Sequence, residues 1–409
     1  MADGITRIAV EGFKSISKRQ SIDIAPLTIL AGANSSGKSS IMQPLLMLKQ
    51  TLEDPSDPGP LLISGTAPIV KFTAADQFLS RKTSSQPGKL TVEIALGAGA
   101  EFHIAFQKVQ SGVQVLEQKD SLRATTLRPN MTAKEIAKHL HQPDLLQLRD
   151  LSVIRNRFIL GVASVKMPWG SGSEWIVPVV RSILHVPGVR ENPWRMYKAP
   201  PVDRDFPGTF EPYVASVVEQ WQKENNQLAR SLNLDLGHLG LAKKVFAQRL
   251  SDAEIDLRVN LPGRTSDLVS VADVGSGVSQ IMPALVALRA ASKGQLVYLE
   301  EPEMRLHPRA QIKLVDVLAD AAKRGVRMVV ETHSSLLLRA VQTLVAKEKL
   351  SPDLVRLHWF SLDRHGATRV SSAALDQRGA FGEWPQDFGD VALDSEQDYL
   401  DAVENQLSH

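Results

Sequence analysis

Residues 27–47 read LTILAGANSSGKSSIMQPLLM. Leu27, Thr28, Ile29 and Leu30 form a short apolar, β-branched run of the kind that makes a buried strand. Gly32-Ala33-Asn34-Ser35-Ser36-Gly37-Lys38-Ser39 follows, and an apolar helical pattern begins at Ile41. Strand, glycine-bounded loop and helix in that order are the context of a phosphate-binding P-loop. Gly32 and Gly37 allow a tight turn and close approach to an anion with no Cβ in the way. The amides of the helix's first turn, Ser40 included, face the anion with the positive end of the helix dipole. In such a loop Lys38 reaches the β- and γ-phosphates and the Ser39 hydroxyl holds Mg²⁺.

The bulk properties narrow the classes. A chain of 409 residues has ample length for one large domain or two. Hydrophobic content of 43% and charged content of 22% are those of a globular protein. A net charge of +2 excludes a global nucleic-acid footprint, so any such surface must be local. The absence of cysteine excludes disulfide and thiol chemistry and fits a cytoplasmic location. No apolar run approaches the roughly 20 residues of a membrane span, and the N-terminus lacks a signal-peptide pattern, so no membrane partner is expected.

Along the chain, 5–10 and 21–24 alternate like strands, with Gly12-Phe13-Lys14-Ser15 turning between them. Pro55 and Pro60 bracket the loop that ends the P-loop helix. Residues 90–96, 101–109 and 112–118 read as an antiparallel lobe with a hairpin turn at 97–100. The stretch 120–245, with helix-like windows at 132–141, 145–153 and 213–234, reads as an inserted, mostly helical subdomain. After Ala242 the α/β pattern returns, with strands at 253–259, 295–299, 327–330 and 358–362 and helices at 278–291 and 309–324. The tail from Asp387 reads as an acidic surface helix. The expected fold is an α/β P-loop head with a mixed sheet and an antiparallel lobe. Its parts are 1–119, the insertion 120–245, and 246–409.

Three further motifs carry chemistry. Leu299-Glu300-Glu301-Pro302-Glu303 ends an apolar strand, at the sheet edge where α/β ligands bind. There Glu300 suits Mg²⁺ and Glu301 suits orienting and deprotonating a water, although an acidic pair can also be a solvated turn. Thr332-His333-Ser334 ends the next strand, at the same edge; His333 is either a structural histidine or one placed to reach a γ-phosphate by a hydrogen bond. Val274-Gly275-Ser276-Gly277-Val278-Ser279-Gln280 opens a helix and is either a plain cap or a second anion seat. His307, before Pro308, is either structural or a contact for a partner subunit.

Taken together, ITRIAVEGFKSI (5–16), AGANSSGKSS (31–40), DVGSGVSQIMPAL (273–285), LEEPEMRLHP (299–308) and ETHS (331–334) resemble the ABC-class ATPase heads of the RecF, SMC and OLD type. They are most similar to AAA-family ATPases found beside nucleases in bacterial genome-maintenance and phage-defence systems, OLD-like and PtuA-like proteins among them. The resemblance implies Mg²⁺-dependent ATP hydrolysis by two heads paired head-to-tail. Each ATP lies between one P-loop and the partner's signature, supplied by Ser276 and Gly277. Lys38 and Ser39 bind phosphate and metal, Glu300 binds metal, Glu301 is the base and His333 senses the γ-phosphate. It also implies a separately encoded nuclease or toxin as effector, because too few residues follow His333 for the Toprim nuclease of OLD proteins.

The chain departs from the family pattern in places. The metal carboxylate is Glu300 where most ABC proteins have Asp, and the signature is one residue longer than Ser-Gly-Gly-Gln. Gln77 is the candidate for the glutamine that follows the first strand lobe. A non-hydrolysing, ATP-locked scaffold is the main competing reading. A P-loop kinase and a transporter subunit are two others, and neither accounts for all the motifs. DNA is a further candidate partner, through Arg149, Arg155, Arg157, Lys166, Arg181, Arg190, Arg195, Lys198 and Arg204 interleaved with Trp169, Trp175 and Trp194, although a solvated face with buried tryptophans explains them as well.

Overall fold

The computed structural model describes residues 4–382 except 66–68, 82–86, 98, 111, 141, 149, 166, 171–172, 191–192, 204 and 264–266. The expected tail helix lies outside the described residues.

Ile5–Glu11 (β1) and Gln20–Asp23 (β2) pair antiparallel across the predicted turn, where Lys14 takes a left-handed conformation. Leu27–Gly32 (β3), buried at every position, feeds helix Lys38–Glu53 (α1). Lys89–Leu96 (β4), Glu101–Val109 (β5), Gly112–Asp120 (β6) and Thr125–Leu127 (β7) extend the first hairpin into one six-stranded antiparallel sheet, ordered β2-β1-β4-β5-β6-β7. The expected lobe is therefore continuous with the N-terminal hairpin.

The middle of the chain departs from the helical expectation. Ala133–His139 (α2) forms behind a Thr132–Glu135 capping box, as its sequence predicts. The window at 145–153 does not form an α-helix. Pro143 opens a single 3₁₀ turn, and Val153 and Ile154 then lie in strand Ser152–Asn156 (β8). Ile159–Ser164 (β9) and Met167–Gly170 (β10) complete a three-stranded sheet. Helix Ile176–Arg181 (α3) leads to Leu184–Val186 (β11), which joins the central sheet, and Tyr197–Lys198 (β12) follows. The long helix expected from Tyr213 is two helices, Val214–Lys223 (α4) and Gln227–His238 (α5). Asn225 turns the chain with a positive φ, and the Asn226 side chain caps α5 by accepting from the Leu228 amide. The stretch is thus helical mainly in its last third.

Lys244–Arg249 (β13), Glu254–Asn260 (β14) and Leu268–Ser270 (β15) form a small antiparallel sheet with β12. Ser276–Ala290 (α6), Leu296–Glu300 (β16), Pro308–Lys323 (α7), Arg327–Glu331 (β17), Ser335–Ala346 (α8), Val355–Leu362 (β18) and Thr368–Ala373 (β19) complete the chain as described. The central sheet runs β11-β16-β17-β3-β18-β19, parallel except for β19.

Side-chain alternation sorts this sheet's two faces. Leu27, Ile29, Val297, Leu299 and Val330 pack with α4–α8 in one core, whereas Leu30, Leu296, Tyr298 and Val329 pack with α1 and the antiparallel sheet in another. Each fully buried aliphatic side chain contributes roughly 1.5–3 kcal/mol. A one-residue slip would exchange the faces, so the alternation fixes the register of β3, β16 and β17. Their carboxyl ends, and the loops that follow, are thereby held at one edge. Among the described residues no helix is long and apolar enough to cross a membrane.

Candidate functional site: the P-loop and the strand ends beside it

The P-loop lies between β3 and α1. Gly32 has φ 141° and Gly37 has φ 104°. A Cβ at Gly32 would lie 2.2 Å from the Phe360 carbonyl oxygen, and one at Gly37 would lie 2.3 Å from Thr368 Oγ1. Both positions therefore require glycine for fit as well as for conformation. Ala33, Asn34 and Ser35 form an exposed tip, whereas Ser36, Lys38 and Ser40 are buried. Lys38 Nζ turns inward and donates to the carbonyls of Gly32 (3.0 Å) and Ala33 (2.9 Å). Ser36 Oγ is buried with no hydrogen-bond partner. An orphaned hydroxyl and a lysine satisfied only by the loop's own carbonyls are what a phosphate-shaped seat leaves when nothing fills it.

Opposite the loop, β16 and β17 end in register, with Glu300 beside Glu331. Ser39 Oγ donates to Glu331 Oε2 at 2.8 Å, and the Tyr298 hydroxyl donates to Glu331 Oε1. Glu331 is therefore the carboxylate in direct contact with Ser39, the serine expected to hold Mg²⁺; the sequence reading quoted it in ETHS without giving it a role. Its sequence signals are a charge at the end of an otherwise apolar strand and its place at the head of ETHS. Burial, reinforced by the nearby Glu300 charge, pushes the Glu331 carboxyl up to about 7. Burial acts the same way on Glu300, but there it is outweighed. His185 Nε2 donates to Glu300 Oε1 at 3.0 Å and the Gly188 amide to Oε2 at 3.0 Å, holding this carboxyl below its ordinary value. Two neighbouring carboxyls are thus driven apart by their surroundings.

The donor set fits Mg²⁺. Ser39 offers a hydroxyl and Glu300 and Glu331 offer oxygens, hard ligands of the type Mg²⁺ takes alongside substrate phosphates and water. Among the described residues no group of three or more His, Asp or Glu side chains could hold a metal ion.

Glu301 follows β16 in a left-handed conformation, φ 44°. Its amide donates to the Glu331 carbonyl at 2.9 Å. His333 Nε2 lies 3.7 Å from Glu301 Oε1. Positive φ at a glutamate costs energy that the surrounding structure must overcome, as is common at functional sites. Burial, helped by the Lys38 charge and opposed by Glu301, lowers the His333 imidazole below its usual value. Glu303 is buried, its carboxyl raised by burial, and it accepts from the Thr332 hydroxyl. Thr332 in turn accepts from the Ser334 amide at 2.9 Å, and Ser334 caps α8. This chain of contacts fixes the Thr332-His333-Ser334 turn.

Other predicted residues stand apart. Ser276 is exposed at the first turn of α6 and Gly277 is half-buried beside the Arg305 carbonyl. His307 caps α7, its Nδ1 accepting from the Arg309 amide at 3.3 Å. Gln77 closes a local turn, with both amide atoms bonded to Thr73. Among the described residues, several of the basic, aromatic set are engaged within the fold. Arg190 is buried, Arg157 and Arg181 donate to backbone carbonyls of 51–54, Arg155 pairs with Asp57, Arg195 pairs with Asp273, and Trp175 donates to Asp120. Arg149, Lys166, Arg204 and the Trp169 side chain lie outside the described residues.

Residues 4–142 match the AAA ATPase domain family. Residues 201–339 match an AAA-domain family whose description cites the AbiEii toxin and the Type IV TA system. Comparison with proteins of curated function gave no match. Among solved structures, an SMC head bound to the C-terminal winged-helix domain of ScpA is 13% identical. The match covers 91% of this chain and 98% of that one, with a TM-score of 0.53. An SMC head with an extended coiled coil, bound to the C-terminal domain of ScpA from Pyrococcus furiosus, is 10% identical. It covers 98% of this chain and 99% of that one, with a TM-score of 0.51. The fold is that of an ABC-type ATPase head, and the two family matches together with this fold support ATP binding and hydrolysis.

Proposed function

We propose that this ABC-type head binds ATP with Mg²⁺ and hydrolyses it within a head-to-tail pair of copies, and that the cycle switches a separately encoded effector. The observation that carries this reading is the convergence of Ser39, Glu300 and Glu331 with the Glu301–His333 pair at one sheet edge, beside a P-loop whose lysine contacts only its own loop. In this reading Lys38 leaves the Gly32 and Ala33 carbonyls for the β- and γ-phosphates, and the amides of 33–40 wrap the phosphate chain. Ser39 and Glu300, joined by Glu331, hold Mg²⁺, which neutralises charge on the phosphate oxygens. Glu301 orients a water and takes its proton, and His333 hydrogen-bonds the γ-phosphate. Ser276 and Gly277, at the open N-terminus of α6, complete the site of the partner copy.

A nuclease or toxin is the proposed effector. That two heads of this fold were solved with ScpA domains bound supports the coarser part of this reading, a partner carried by the head.

The test is turnover paired with binding. Lys38→Ala should abolish ATP binding. Glu301→Gln should bind ATP normally and hydrolyse it at least about a hundredfold more slowly, the scale of a lost general base. Hydrolysis at the wild-type rate by Glu301→Gln would remove Glu301 from the role of base.

A further inference from the structure

Two buried rings stand behind the carboxylates of the sheet edge in a repeated arrangement. β11 is only three residues long, yet its register on β16 sets His185 directly beside Tyr298. β16 in turn sets Glu300 beside Glu331 of β17. Neighbouring strands lie about 4.8 Å apart, so facing side chains touch. The His185 and Tyr298 rings stack accordingly, with centroids 5.1 Å apart and planes 13° from parallel. Side chains two residues apart on a strand share a face, so Tyr298 and Glu300 both point to the side that α1 covers.

Both rings act along the same diagonal. His185 Nε2 lies 3.0 Å from Glu300 Oε1, two residues beyond its partner in the next strand. The Tyr298 hydroxyl donates to Glu331 Oε1, again two residues beyond its own partner, Val329. His185 and Tyr298 are 3% and 0% exposed, so packing holds each ring in place. Ser39 holds the other oxygen of Glu331. The turn after β11 closes on Glu300 in the same way. The Gly188 amide donates to Glu300 Oε2 at 3.0 Å, and Arg190 Nη2 donates to the Glu300 carbonyl at 3.1 Å. A Cβ at Gly188 would stand 3.3 Å from that of Glu300, so a bare backbone is what lets the turn come this close. Arg190 also donates from Nη1 to the Gln280 carbonyl at 2.6 Å, and the carboxyls of Glu211, Glu300, Glu303 and Glu301 offset its buried charge.

We propose that the stacked His185–Tyr298 pair positions the two carboxylates for Mg²⁺, His185 orienting Glu300 and Tyr298 orienting Glu331. Both are positioning residues, because they act on the ion through the carboxylates they touch. Such outer partners fix ligand orientation and so set metal affinity. This positioning role rests on the metal role proposed for Glu300 and Glu331. It makes a three-residue strand from the middle of the chain a determinant of how tightly the head holds Mg²⁺ with its nucleotide.

The test reads metal binding apart from hydrolysis. ATP is titrated calorimetrically into the Glu301→Gln protein, once with saturating Mg²⁺ and once in EDTA. In that background His185→Phe and Tyr298→Phe keep the stacked rings and remove the polar atom. Each should weaken binding of Mg²⁺-ATP about tenfold or more, the scale of a lost outer partner, and leave ATP binding in EDTA unchanged. His185→Gln keeps a donor and should retain most of the parent's affinity. Should His185→Phe not fold, His185→Asn takes its place with the same expectation, because its amide falls short of Glu300. The proposal is overturned if either ring variant binds Mg²⁺-ATP like the parent, if binding falls equally with and without Mg²⁺, or if His185→Gln is as weak as His185→Phe. Glu300→Gln distinguishes this failure from failure of the metal reading. Full Mg²⁺-ATP affinity in Glu300→Gln removes the metal role of Glu300 and the positioning role with it. A loss there with none in His185→Phe removes the positioning role alone.

Discussion

Glu331 shows how one side chain serves two states. With its neighbours as they stand, it accepts from Ser39 and Tyr298 inside a buried pocket. A carboxylate there is costly without a counter-charge, and a divalent ion would supply one. The sign of the linkage follows. A carboxyl raised to about 7 in the folded state holds its proton longer than it does in the unfolded chain. Its stabilising contribution is fully present below the ordinary carboxylate range and is lost as pH rises through about 7. The nucleotide-free protein should therefore lose stability between about pH 5 and pH 8, by on the order of 2 kcal/mol from this group. Glu331→Gln should flatten that part of the profile. Denaturant midpoints measured across this pH range decide it, and equal slopes in the two proteins would refute the assignment.

At the scale of elements, the loop between β3 and α1 depends on its glycines. A Cβ at Gly32 meets a backbone carbonyl that has nowhere to move. Gly32→Ala should cost at least about 3 kcal/mol or prevent folding, combining a strained φ with overpacking. Gly275→Ala, at the cap of α6 with nothing within 4 Å, should stay within about 1 kcal/mol. Urea unfolding compares the two, and equal losses would contradict this account of the loop. These elements were legible in the sequence because their signals are local. An apolar strand, a glycine loop and a helix pattern define β3 to α1, and β16 and β17 read the same way. The middle was less legible. Leu184–Val186 is too short to announce itself as a strand and gains its place only by pairing with β16. Windows rich in Leu, Arg and Lys look helical until Pro143 or Asn225 breaks them. Glu331 and His185 were missed because their roles come from strand register and cross-chain contact, which no single window contains. Arg190 looked like a surface cation because its burial depends on the packing of α6.

At the scale of the whole molecule, the parallel sheet gathers the P-loop, Glu300, Glu301, Glu331 and His333 to one edge, while Ser276 is exposed and Gly277 half-buried at the head of α6. On the proposed function, a single copy would present one nearly complete catalytic edge and, at Ser276 and Gly277, one anion seat for a partner copy. Two copies related by a twofold axis, each P-loop facing the other's α6, would complete each other reciprocally, as isologous pairs do. Hydrolysis would then be the step that releases the pair, and blocking it should trap the pair. The most direct measurement is the solution mass of Glu301→Gln, by light scattering, with and without saturating Mg²⁺ and ATP. The account predicts a single copy without nucleotide and two copies with it, and predicts that adding Lys38→Ala abolishes the change. A Glu301→Gln protein that binds ATP yet remains a single copy at saturation would contradict it.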